Sequence, residues 1–169
     1  MKKNLKNLIP VLIGLGFALI VIFSLVSFFP GALTAEKAVT GYLKASMIYD
    51  ANNIVKYSSD YVKVNFYRSK DFSNNDLKDK LKKQYAEAIN IYANSKISFS
   101  IISKIEIDKD SEEYATIVDN YKYITGKDAN FSDVRQITVK IFIDGKENPK
   151  VTAYAIKSGI SWFYLSYQD

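Results

Sequence analysis

Residues 151–167 read VTAYAIKSGISWFYLSY, and the turn segment Lys-Ser-Gly divides them into two runs rich in β-branched and aromatic residues. In the second run, Ile160, Trp162 and Tyr164 share one face of a strand, and Phe163, Leu165 and Tyr167 share the other. A strand that is apolar on both faces belongs inside a sheet with a helix over one face. We therefore expect Trp162 to be buried against the first helix of the domain, on residues such as Leu43 or Met47.

More β-rich runs lie upstream of this hairpin. From Ile97 to Ile107 apolar residues alternate with polar ones, apart from a slip at Ile102 that indicates a β-bulge. Residues 114–125 and 134–143 are also predicted to be strands. Polar turn segments at 108–113, 125–133 and 144–149 separate the runs. Consecutive strands joined by turns predict an antiparallel sheet.

Helix signals come before the strands. Thr34 can cap a helix over residues 35–49, in which apolar side chains recur at helical spacing. Asp50 can cap a short second helix that continues toward Tyr57. These two segments predict helices that pack on the sheet.

The next segment, residues 58–72, is mixed in character and is predicted to be irregular or a short strand. Ser73 followed by Asp76 resembles a capping box and predicts a helix over residues 74–93. The predicted structural core comprises Leu43, Met47, Leu81, Tyr85 and Trp162. The predicted fold class is α+β, with an N-terminal transmembrane helix followed by helices packed on one face of a bent, cone-like antiparallel sheet.

Residues 8–29 carry no charge, and a helix of this length would extend about 33 Å, enough to cross a membrane. Because Lys2, Lys3 and Lys6 precede this run, the positive-inside rule places the N-terminus in the cytoplasm. The predicted organisation is a cytoplasmic tail at 1–7, a transmembrane helix at 8–29 and an extracytoplasmic domain at 30–169. A cleaved signal peptide is the alternative, although the nearest cleavage site, at residues 33–35, is poor.

Composition excludes several kinds of chemistry. The chain has no Cys and no His, so thiol nucleophiles, disulfides, zinc sites of the Cys/His kind and imidazole catalysis are excluded, and we expect no cofactor. Of the 23 basic residues, three precede the apolar run, which leaves 20 against 18 acidic residues. A domain so close to neutral has no electrostatic footprint for nucleic acid, so no nucleic-acid partner is expected.

In the acidic segment DKDSEE, Asp108, Asp110 and Glu112 stand at alternate positions, and Asp119 follows farther along the chain. This spacing matches part of the ligand pattern of a calcium-binding loop. However, Glu113 stands where such a loop needs glycine, and Asp119 falls inside a predicted strand. A solvated hairpin tip is therefore the favoured interpretation, and no metal site is expected.

The element order, with the segments AEKAVTGYLKASMIYDANNIVKYSS and VTAYAIKSGISWFYLSY, resembles the nuclear transport factor 2-like superfamily over about residues 35–167. The resemblance implies a cone-shaped sheet and, in Gram-positive bacteria, a domain that often follows one membrane helix or a lipid anchor. Components of type IV secretion and conjugation machines share this layout. Enzymes of the superfamily line the cone with Asp, Tyr or His, but no family catalytic position matches a residue of this chain.

One cluster of aromatic and basic residues is a candidate surface for a protein partner: Tyr57, Tyr61, Lys63, Phe66, Tyr67 and Arg68. The alternative is that these aromatics simply cover an open end of the sheet. The predicted function is a membrane-anchored, extracytoplasmic protein-binding or assembly module of a bacterial cell-envelope complex, for example a secretion or conjugation machine. Its expected partners are the membrane and proteins of the cell envelope. A homo-oligomer is also compatible with the sequence. The alternative function is a small-ligand-binding or acid–base enzyme domain that uses the cone cavity.

Overall fold

The structure is a computed structural model that describes residues 30–167. Across this part of the chain, none of the helices has the length and apolar character needed to traverse a bilayer. The predicted cytoplasmic tail at 1–7 and transmembrane helix at 8–29 lie outside the described residues.

The described chain is α+β, with five helices packed on a four-stranded antiparallel sheet. The helices are α1 (Ala35–Met47), α2 (Ala51–Tyr57), α3 (Asp60–Tyr67), α4 (Asn74–Ala86) and α5 (Glu112–Thr125). The strands are β1 (Ile97–Glu106), β2 (Asp133–Ile143), β3 (Lys146–Ser158) and β4 (Ser161–Tyr167). Neighbouring strands in the sheet are also consecutive in the order β1-β2-β3-β4.

Polar side chains begin each of the first helices. Thr34 caps α1 and Asp50 caps α2, as predicted, each accepting a hydrogen bond from a backbone N–H of the first turn. Ser73 and Asp76 form the predicted capping box at the start of α4. The helix signals in the sequence are therefore confirmed at these three positions.

The prediction for residues 58–72 was wrong, because this segment contains helix α3. Ser59 caps the helix through its side chain, and its backbone N–H donates to the Tyr164 carbonyl at 2.9 Å. Arg68 ends the helix in the left-handed conformation, with φ of 60°. The hydrogen bond to Tyr164 comes from a strand about a hundred residues later and leaves no sign in the local sequence, whereas the cap at Ser59 is a local signal that the prediction missed.

The prediction of a strand over 114–125 was also wrong, because these residues form α5. Ser111 caps the helix, two glutamates follow in its first turn, and Gly126 ends it at φ of 70°. The acidic segment 108–113 is therefore not a hairpin tip, because residues 108–111 connect β1 to α5, and Glu112 and Glu113 form the first turn of the helix. Asp119 lies on the helix.

Helix α4 ends at Ala86, shorter than the predicted 74–93. The Asn90 side chain accepts a hydrogen bond from the Tyr92 backbone N–H at 2.8 Å. This local bond favours a turn over continued helix.

Bulges interrupt the pairing of every neighbouring pair of strands. The predicted bulge at Ile102 is confirmed by a shift of register between Ile101 and Ser103. Further shifts lie between Lys140 and Phe142 of β2 and between Tyr154 and Ala155 of β3. Because a bulge bends its strand and increases the local twist, these three positions curve the sheet.

Two hydrophobic clusters cover opposite faces of the sheet, since Ala155 belongs to one cluster and its neighbour Ile156 to the other. The first lies against α1 to α4 and contains Leu43, Leu81 and Trp162, with Met47 and Tyr85 half-buried at its margin. The second includes Tyr121 of α5. The expectation that helices cover only one face was wrong, because α5 is a helix and not a strand.

The two edges of the sheet differ. The outer edge of β4 is bridged by Ala32, which exchanges two backbone hydrogen bonds of 2.8 Å with Trp162, and by Ser58 opposite Tyr164. Within residues 30–167, no strand pairs with the outer edge of β1, where Ile102 and Ile105 are exposed.

Replacing Trp162 by Ala should lower the free energy of unfolding by about 3 to 5 kcal/mol, because it removes a large buried ring from the first cluster. Trp162 is 5% exposed, and the Arg135 guanidinium lies 5.0 Å from its ring centroid. Chemical denaturation of the full chain in detergent, followed by circular dichroism, measures the change. The matched control is Tyr123→Ala, because Tyr123 is 81% exposed. Equal losses for the two variants would contradict the core role of Trp162.

Replacing Gly41 by Ala should destabilise the domain by about 1 to 3 kcal/mol, because an added methyl group would stand 2.6 Å from the Tyr57 ring. Helix propensity alone favours Ala over Gly by about 1 kcal/mol, so the two effects have opposite signs. The double variant Gly41→Ala/Tyr57→Leu should recover stability. A higher midpoint of denaturation for the single variant would show that the ring moves aside freely.

Candidate functional site

Two adjoining cavities lie at the C-terminal end of β4, one of about 410 Å³ and one of about 310 Å³. They share four lining residues, Tyr61, Leu165, Ser166 and Tyr167. We call the pair the β4 groove. Tyr61 also packs against both hydrophobic clusters. Its side chain therefore links the two halves of the groove to the two clusters.

The groove depends on the bulge in β4. Ala155 pairs with Tyr164 and Tyr154 pairs with Ser166, so Leu165 is the extra residue. Beyond this bulge the alternation of side chains shifts, and the Tyr167 ring lies 5.7 Å from that of Tyr164 at an interplanar angle of 72°. The predicted grouping of Tyr167 with Phe163 and Leu165 was therefore wrong.

The smaller half of the groove is apolar. The Tyr42 and Tyr164 rings stack with centroids 3.8 Å apart, and Val62, Asn65 and Phe66 complete the lining. Burial raises the pKa of Tyr42 to about 12 and also raises the pKa of Tyr164. Both phenols are therefore neutral at physiological pH, and the lining of this half carries no charged side chain.

Helix α3 supplies one wall of the groove. Tyr61 and Asn65 are four residues apart, so they stand on the same side of the helix, one turn apart. Phe66 of this wall is 36% exposed, and Tyr167 of the opposite wall is 50% exposed. Two large rings are thus presented to solvent beside the cavity.

The larger half of the groove contains a polar pair. The Tyr154 hydroxyl donates a hydrogen bond of 2.5 Å to the Glu113 carboxylate of α5. Burial raises the pKa of Tyr154, and the bond to Glu113 raises it further. Thr116 and Asn120, one turn apart on α5, add a hydroxyl and an amide to the lining. This half can therefore form hydrogen bonds as well as apolar contacts.

The structure separates the predicted aromatic and basic cluster. Tyr61 and Phe66 line the groove, whereas Tyr57 packs on Gly41 of α1. Tyr67 stacks on Phe72, with ring centroids 4.7 Å apart. The two outer tyrosines of the cluster are thus engaged in packing between helices.

The basic members of that cluster are also divided. Lys63 is 8% exposed with its ammonium 3.9 Å from the Asp60 carboxylate, and burial lowers its pKa. Arg68 ends α3 in the left-handed conformation. Neither residue lines the groove.

Sequence reasoning missed most of the groove, including Tyr42, Tyr154, Tyr164 and Glu113. The sequence signal that could have indicated two of them, Tyr154 and Tyr164, is the tyrosine-rich hairpin at 151–167. Simple alternation along its second strand, however, assigned Tyr167 to the wrong face of the sheet. In the described residues, no three acidic side chains are grouped to hold a metal ion. The Asp108 carboxylate instead accepts the Asp110 backbone N–H at 3.0 Å.

Comparisons with protein-family models, with curated proteins and with solved structures found no match to this chain.

Stability should fall as the pH rises from about 10 to about 12, because burial raises the pKa of both Tyr42 and Tyr121 from 10.0 to about 12. In this range the unfolded chain loses the phenol protons while the folded chain retains them, which favours unfolding. Denaturation midpoints of the full chain across this range measure the effect. The double variant Tyr42→Phe/Tyr121→Phe should show a flatter decline, and an unchanged slope would contradict the assignment.

Proposed function

We propose that this chain is a membrane-anchored, extracytoplasmic protein-binding module that helps assemble a bacterial cell-envelope complex, such as a secretion or conjugation machine. The observation that carries the proposal is the smaller half of the β4 groove, in which the exposed rings of Phe66 and Tyr167 border a cavity without charged side chains. Aromatic side chains in pockets are the residues that most often dominate binding energy at protein interfaces.

The chemistry of the two halves specifies the partner segment. The smaller half accepts an apolar or aromatic side chain, because Tyr42, Phe66 and Tyr164 line it. The larger half adds the Glu113 carboxylate and the Asn120 amide, which suit a hydrogen-bond donor on the same segment. An extended segment that carries an apolar side chain next to a donor therefore fits both halves.

The proposed membrane anchor is the uncharged run at 8–29, preceded by Lys2, Lys3 and Lys6. We also propose membership of the nuclear transport factor 2-like superfamily. The helices that precede the strands, and a sheet curved by three bulges, support this proposal.

The alternative function, a small-ligand-binding or acid–base enzyme domain, has one observation in its favour. The pair of Tyr154 and Glu113 lies beside a cavity of about 410 Å³, within the usual range for ligand pockets. Acid–base catalysis of the kind considered needs a carboxyl group whose pKa is raised by burial. Glu113 is exposed, and among residues 30–167 the carboxyl groups with shifted pKa values, Glu36 and Asp76, are shifted downward.

The proposal is tested by incorporating a photo-crosslinking amino acid at Phe66 of the full chain in its native membrane. We expect crosslinks to an envelope protein at this position, and far fewer when the same group replaces Tyr123, which is 81% exposed but outside the groove. Recovery of only the monomer at both positions would contradict the proposal.

Replacing Phe66 by Ala should weaken capture of the crosslinked partner about tenfold or more, as expected for an aromatic hot spot. Because Phe66 is already partly exposed, the fold should remain intact, which circular dichroism checks. The matched variant Tyr123→Ala should bind normally. An undiminished affinity of the Phe66→Ala variant would exclude the groove as the binding surface.

A further inference from the structure

A second surface lies where the described chain begins. Ala32 forms an antiparallel bridge with Trp162, so Leu33 comes opposite Ser161, next to Ile160 in the turn between β3 and β4. Leu33 is 61% exposed and Ile160 is 70% exposed. We call this pair, with the turn, the anchor-side corner. Two exposed aliphatic side chains therefore lie close in the chain pairing to the bridge between Ala32 and Trp162.

Basic residues surround the corner. Lys37 is exposed in the first turn of α1, and Lys157 is the second-last residue of β3 before the turn, with its ammonium 5.9 Å from the Trp162 ring centroid. The nearby acidic groups are already paired, Glu36 with Lys104 at 2.5 Å and Asp133 with Arg135 at 2.9 Å. The corner thus combines apolar side chains with positive charge.

The covalent tether limits what can cover this corner. Only Pro30 and Gly31 lie between Phe29, the end of the uncharged run, and Ala32, and a fully extended chain over these three Cα–Cα steps reaches only about 11 Å. The two hydrogen bonds between Ala32 and Trp162 fix that end of the tether to β4. If the run spans a bilayer, the covalent tether therefore limits the distance between the end of the run and Ala32 to about 11 Å.

We propose that the anchor-side corner docks on the phospholipid surface, with Leu33 and Ile160 among the headgroups and Lys37 and Lys157 near lipid phosphates. This inference rests on the proposed membrane anchor. Lysines near a membrane surface are attracted to anionic lipid within about one Debye length, roughly 8 Å at physiological salt. The charges of Lys37 and Lys157 therefore suit an anionic surface.

Acidic residues at the same end of the sheet limit the area of contact. Glu106 ends β1 and Asp108 follows it, three strands away from β4. Strands are spaced about 4.8 Å apart, so these carboxylates lie about 14 Å from the corner across the sheet. The contact is therefore confined to the side of the sheet that carries β3 and β4.

Because the chain contains no Cys, single cysteines can be labelled cleanly with an environment-sensitive fluorophore. The full-length variants Ile160→Cys and Ile89→Cys form a matched pair, since Ile89 is 87% exposed and lies between α4 and β1. Both are reconstituted into vesicles of phosphatidylcholine with phosphatidylglycerol. We expect a blue-shifted emission at position 160 and its quenching by headgroup spin-labelled lipid. The label at position 89 should behave as in water.

The outcomes separate the docking from the anchor. A chain that resists alkaline extraction but shows identical, water-like emission at positions 160 and 89 would overturn the docking alone. A chain that alkaline treatment removes from the vesicles would overturn the proposed anchor, and the docking with it. In vesicles of phosphatidylcholine alone, or in the variant Lys37→Glu, the blue shift should decrease. An undiminished shift in both would overturn the electrostatic part.

Discussion

The burial of β4 on both faces is the constraint on which the rest of the domain depends. On one face Trp162 and Tyr164 enter the cluster that also holds α1, and on the other Leu165 enters the cluster with Tyr121 of α5. Its outer edge is bridged by Ala32 and Ser58, so the chain leading into α1 and the junction of α2 with α3 are both hydrogen bonded to it. One strand thus connects every layer of the domain.

The sequence predicted those elements whose determinants are local. Caps at Thr34, Asp50 and Ser73, and the bulge at Ile102, are each specified by a few neighbouring residues, and all four were confirmed. The two segments that were assigned the wrong type of element, 58–72 and 114–125, contain helices rich in β-branched and aromatic residues. The residues of α5 have a high propensity for β-strands, but Ser111 caps the segment as a helix and Gly126 ends it as one.

The candidate site was predicted only in part, for a related physical reason. Tyr61 and Phe66 were identified from composition because aromatic residues with neighbouring cations are conspicuous in sequence. Their partners Tyr42 and Tyr164 are separated by more than a hundred residues and meet only through the packing of α1 on β4. The position of Tyr167 follows from a bulge at Leu165 that alternation in the sequence conceals. Both features arise from tertiary packing and strand pairing, so no local sequence pattern predicts them.

The pairing of Ala32 with Trp162 also constrains the order of folding. It joins the first described residues to β4, so neither hydrophobic cluster is complete until β4 has been synthesised. Contacts between residues so distant in sequence slow folding, because a long loop must close before they contribute. Helices α1 to α4 emerge with their apolar faces uncovered and remain so until β4 arrives. Folding of this domain therefore waits for the synthesis of β4, and during that interval the unfinished chain presents the surfaces that chaperones recognise.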